Sequence, residues 1–133
     1  MNVFVYAASA STEGSHLIRD VSHAAPEAGL EIFRTCQSLS ERLLKPRNTL
    51  SIAILFAPTR GELMALIPLR ESFRETKILL ILQDQDKETI SLAHRLFPTY
   101  VSYTENNYGR TLSVLQNLMD SHQNRSGLEG MGA

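Results

Sequence analysis

Apolar runs of strand length alternate with amphipathic segments of helix length about five times along this chain. That alternation is the strongest constraint on its fold. Strands separated by helices cannot pair as hairpins, because each helix carries the chain back to its starting edge. The result is a parallel sheet with helices on both faces. Right-handed crossovers leave few topologies. For five β-α units the expected fold is a three-layer, doubly wound α/β domain with strand order 2-1-3-4-5.

The elements follow from local pattern. Strand 1 is predicted at Asn2–Tyr6 and strand 2 at Leu30–Thr35. Strand 3 is predicted at Leu50–Phe56, strand 4 at Lys77–Leu82 and strand 5 at Thr99–Tyr103. Runs such as Ile52-Ala53-Ile54-Leu55-Phe56 and Ile78-Leu79-Leu80-Ile81-Leu82 are apolar on both faces, as central parallel strands require. Strand 2 alternates Leu30 and Ile32 with Glu31, and strand 5 carries Ser102 between tyrosines, so both read as edges.

Leu17, Ile18, Val21 and Ala25 form the inward stripe of helix 1, Glu13–Ala25. Ser38-Leu39-Ser40-Glu41 and Thr59-Arg60-Gly61-Glu62 read as capping boxes opening helices 2 and 3. Pro68 should kink helix 3 or split it into Glu62–Ile67 and Leu69–Glu75. Asp84 or Asp86 can cap helix 4, Lys87–Phe97, which Pro98 ends. Helix 5 is expected from Tyr108 to Ser121, with Leu112, Leu115, Leu118 and Met119 inward. Residues 1–121 then form one domain and 122–133 a flexible tail.

Composition narrows the function classes. With 133 residues, 43% hydrophobic and 20% charged, the chain is an ordinary single globular domain. A net charge of −1 supplies no field for nucleic acid or an anionic membrane. No apolar run approaches the ~20 residues that span a bilayer, and Met1-Asn2-Val3-Phe4 lacks a basic n-region, so no signal peptide is expected. A cytoplasmic setting is expected, and the lone Cys36 excludes an internal disulfide.

His16 and His23 lie two helical turns apart, and His94 and His122 have no partners in sequence, so no metal site is expected. No cofactor is called for either. Arg42, Lys45 and Arg47, like Arg70, Arg74 and Lys77, alternate with acids and read as solvated faces.

In folds of this class chemistry sits past the carboxyl ends of the strands. Those ends read Ala7-Ala8, Phe56-Ala57-Pro58, Leu82-Gln83 and Tyr103-Thr104. The order and lengths of the elements over residues 2–120 resemble the receiver domain of bacterial response regulators. That resemblance implies an acidic pair after strand 1 to hold Mg²⁺, a phospho-accepting Asp at the end of strand 3, a hydroxyl at the end of strand 4 and a Lys after strand 5. Carried over, these roles fall on Ala7 and Ala8, on Phe56 or Ala57, on Leu82 or Gln83, and on Tyr103 or Thr104. None of these side chains can do that work. The chain therefore resembles a pseudo-receiver, with the fold kept and the phosphotransfer site emptied.

The resemblance implies a non-catalytic interaction or regulatory module in signal transduction, binding a protein partner or a second copy of itself. Tyr100, Tyr103, Tyr108 and Arg110 are its candidate interface, since tyrosine and arginine anchor protein contacts. Glu13, Glu62, Asp84 and Glu105 lie at the same edge and read as complements to helix N-termini rather than a rebuilt metal site. The alternative is a small flavodoxin-like domain that binds a nucleotide or other anion. Its site would be the loop after strand 1, through Ser9, Ser11, Thr12 and Ser15.

Overall fold

The computed structural model of the protein describes residues 2–7, 12–24, 29–45, 51–73, 76–82, 85–103 and 110–120. Five parallel strands make one sheet in the order β2-β1-β3-β4-β5. They are β1 (Asn2–Ala7), β2 (Gly29–Phe33), β3 (Ser51–Ala57), β4 (Thr76–Leu82) and β5 (Tyr100–Tyr103). The helices are α1 (Thr12–Ala24), α2 (Cys36–Leu43), α3 (Arg60–Leu66), α4 (Lys87–His94) and α5 (110–120). This is the doubly wound, flavodoxin-like order that the alternation predicts. The proposed tail, 122–133, lies outside the described residues.

Two cores sandwich the sheet, because successive strand residues point to opposite faces. On one face Val3, Val5, Ile52, Ile54, Phe56, Leu79 and Ile81 meet Leu17 and Val21 of α1 and Leu115 of α5. On the other Phe4, Tyr6, Ala53, Leu55, Leu80 and Leu82 meet α2, α3 and α4 through Leu39, Leu43, Leu63, Leu66 and Ala93. All seven residues of β3 are buried, as expected of the central strand. Across the α5 side, the buried hydroxyls of Ser102 and Thr111 bond each other at 2.5 Å and tie β5 to α5.

Local signals were met in some places and displaced in others. Thr59 caps α3 as the capping box predicts, its hydroxyl accepting from the Glu62 N–H at 3.2 Å. Helix 3 does split at Pro68: α3 ends at Leu66 and a 3₁₀ segment follows over Ile67–Phe73. Proline removes the i→i−4 bond that an unbroken α-helix needs.

Helix 2 starts earlier than its sequence box suggests. Thr35 is the cap, accepting from the Ser38 N–H at 3.1 Å, and Ser38 sits inside the first turn with its own hydroxyl bonded back to the Thr35 carbonyl. Asp86 occupies the cap position of α4 without a side-chain cap bond. Its carboxylate instead meets Arg60 at 3.2 Å, and the same guanidinium reaches Glu88 at 2.7 Å. A charged partner across the α3–α4 gap competes with the cap.

The edge strand β2 departs from simple alternation. Glu31 faces the α2 side, where Arg42 bonds it at 2.8 Å, while Ile32 on the opposite face is 44% exposed. Arg42 also lies 5.1 Å above the Phe4 ring. The expected solvated face of helix 2 is in this respect an amphipathic seal: the arginine stem covers apolar surface while its head finds a carboxylate and a ring.

Candidate functional site

The carboxyl edge of the sheet is where this fold places ligands. The register there settles which residues stand side by side. Ala57 pairs with Leu82, and Leu82 with Tyr103, making one row across β3, β4 and β5. All three pack into the α2–α4 core. Ala7 pairs with Phe56, and both turn to the α1–α5 core. Ala7, Phe56 and Leu82 are fully buried and Ala57 is 2% exposed. Phe56 is thus on the opposite face of the sheet from Ala57 and Leu82. Ala8 and Gln83 lie outside the described residues.

Around that row the described residues bring few polar groups. The Cys36 thiol donates to the Tyr6 hydroxyl at 3.4 Å, across the start of α2 and the end of β1. Burial pushes the Tyr6 phenol well above its ordinary value; the bonded Cys36 group and the Glu62 carboxylate add to it. The phenol therefore keeps its proton through neutral pH. Arg34 at the end of β2 donates to the Ala7 carbonyl at 3.2 Å and satisfies the last carbonyl of β1 from outside the ladder. Sequence reasoning did not single out the Tyr6–Cys36 pair or Arg34. Their positions at strand ends were legible, but their meeting depends on the β1–β2 register.

Among the described residues no group of three or more His, Cys, Asp or Glu side chains is placed to hold a metal ion. Glu62 is half-buried in the first turn of α3, next to the Thr59 cap. Asp84 and Glu105 lie outside the described residues, and Glu13 is placed only as part of α1.

The candidate interface residues do not share one face. Tyr100 packs with the α1–α5 core and Tyr103 with the α2–α4 core, both half-buried. Three residues apart on a strand, they project to opposite sides. They flank the same sheet edge, since among the described residues β5 pairs only with β4. Arg110 is exposed at the start of α5, and Tyr108 lies outside the described residues. Of the anion-site candidates, Ser9 and Ser11 also lie outside; Thr12 begins α1 and Ser15 is exposed in its first turn.

Among the described residues no helix is long and apolar enough to cross a membrane. No family model matches the chain, and neither a curated protein nor a solved structure matches it.

Proposed function

We propose that the chain is a pseudo-receiver: a non-catalytic interaction or regulatory module in signal transduction that accepts no phosphoryl group. The observation that carries this reading is the row Ala57–Leu82–Tyr103 at the carboxyl ends of three adjacent strands. Phosphoryl transfer to protein needs a nucleophilic carboxylate, a hard cation held by oxygens and a positive group on the phosphoryl oxygens. This row offers a methyl group, an isobutyl group and a phenol.

With no chemistry assigned to the carboxyl edge, function falls to surface. The β5 edge, bordered by Tyr100, Tyr103 and the exposed Arg110, is the surface proposed for a protein partner or a second copy. An unpaired edge strand displays free backbone donors and acceptors, and half-buried tyrosines supply rigid contact area. Nothing in the charge balance favours nucleic acid.

Sedimentation of the wild type against the double variant Tyr103→Ala, Arg110→Glu tests the edge. The glutamate sits at a helix N-terminus, where the dipole tolerates it. The expected result is a concentration-dependent dimer that the variant loses. A wild-type chain that stays monomeric, together with a partner that maps to α1, would overturn the assignment of this edge.

A further inference from the structure

At the opposite, amino-terminal edge of β4 the 3₁₀ segment and the end of α4 line a half-open cavity of about 370 Å³. Its apolar wall comes from Phe73, Ile78, Leu96 and Phe97. Arg70, Glu71 and Thr76 supply its polar groups.

Two features distinguish this cavity from an ordinary packing gap. Phe97 is 72% exposed, a costly place for a phenyl ring. It also has φ +49°, the left-handed region where helix ends normally carry glycine. The chain there leaves α4 through three successive i→i−3 bonds, from the N–H groups of Arg95, Leu96 and Phe97, each 3.1 Å long. Thr99 then donates to the Ile78 carbonyl at 2.8 Å, which fixes the strained exit against β4. Strain of this kind in a bulky residue, held from both sides, occurs at ligand clamps. The ring is further held by the Arg70 guanidinium, 5.1 Å from its centroid.

The second feature is charge. Arg70 and Glu71 are both exposed at the cavity, and neither forms an ion pair among the described residues. An anion alone would meet Glu71, and a cation alone would meet Arg70. A ligand that carries both charges on an apolar body satisfies the two together. The volume admits about a dozen water-sized groups, the size of a large amino acid.

We propose that this cavity binds a free apolar α-amino acid. Its carboxylate lies toward Arg70, its ammonium toward Glu71, and its side chain lies against Phe73, Leu96 and the overhanging Phe97. The site is separate from the β5 edge and does not depend on the pseudo-receiver reading. It makes the domain a sensor of a small zwitterion.

Calorimetric titration of the full chain with L-phenylalanine and L-leucine tests this, with glycine, 3-phenylpropionate and phenethylamine as probes lacking the apolar body, the ammonium or the carboxylate. Saturable binding of the two amino acids and weak or no binding of the three others is expected. Arg70→Gln and Glu71→Gln should each weaken binding about tenfold or more. Phe97→Gly should weaken it too while leaving the melting temperature equal or higher, because glycine relieves the left-handed strain; a merely structural ring would show the reverse. Equal binding of phenylalanine, 3-phenylpropionate and phenethylamine would overturn the zwitterion assignment. No heat with either amino acid would overturn the site. Self-association that Phe97→Gly abolishes, with no response to amino acids, would make the ring a protein contact instead.

Discussion

The carboxyl and amino ends of the sheet carry different kinds of residues. At the carboxyl end, where ligands and chemistry belong, Ala7, Phe56, Ala57 and Leu82 are buried among apolar neighbours. At the amino end, usually a plain structural floor, an exposed phenylalanine in a left-handed conformation borders a cavity beside Arg70 and Glu71, which form no ion pair among the described residues. A fold therefore does not choose its site; the residues at the strand and helix ends do.

Two phenylalanines give the sharpest contrast. Phe56→Asp places an unpaired charge in the α1–α5 core and removes a large buried ring. Ring removal alone costs about 3–5 kcal/mol in a core, and a buried charge adds several more. The variant should be unfolded, or nearly so, in urea denaturation. Phe97→Asp places the same charge at the amino end, on an exposed site whose φ suits aspartate better than phenylalanine. It should stay within about 1 kcal/mol of wild type. Equal costs at the two positions would break the contrast.

The Tyr6–Cys36 pair gives the carboxyl end a pH signature. The folded state holds the Tyr6 phenol above its unfolded value, so between the two values the folded state binds the extra proton. Its contribution is present below the unfolded value of about 10 and is lost as pH rises from there toward the folded one. Stability should fall above that point with an added slope of about 1.4 kcal/mol per pH unit. Tyr6→Phe should remove that added slope, measured as the difference in chemical denaturation between the two proteins from neutral to alkaline pH.

Smaller effects separate the ends further. Thr59→Ala, at the carboxyl end, removes the cap of α3 and should cost about 1 kcal/mol. Ser51 starts β3 at the amino end, and its buried hydroxyl finds no hydrogen-bond partner among the described residues. Ser51→Ala removes an unsatisfied group and should be neutral or stabilising by up to about 1 kcal/mol. Thermal denaturation of both variants reads the opposite signs.

Much of the fold was legible because it rests on periodicity. Continuous apolar runs marked β3 and β4 as central, Glu31 and Ser102 marked the edges, and Pro68 marked the break after α3. The apolar residues at the carboxyl ends of β1, β3 and β4 were legible too, since strand ends are read directly from the chain. What was hidden depended on contacts between distant segments. Thr35 was overlooked as a cap because the Ser38–Glu41 spacing imitates one. Arg42 looked solvated, yet its side chain is only 20% exposed because Glu31 and Phe4 hold it. The grouping of Tyr100 with Tyr103 ignored the two-residue period of a strand. The amino-end cavity carried no sequence signal, since helix exits with positive φ are expected at glycine and this one is a phenylalanine.

If the row Ala57–Leu82–Tyr103 leaves the carboxyl end without phosphotransfer chemistry, as proposed, the chain should take up no phosphoryl group. Intact mass of the full chain, after incubation with acetyl phosphate and Mg²⁺, tests it most directly. The expected result is an unchanged mass at every time point, in wild type and in Ala57→Gly alike. A phosphoryl adduct that forms on the wild type and is lost on treatment with hydroxylamine, as an acyl phosphate would be, would contradict it.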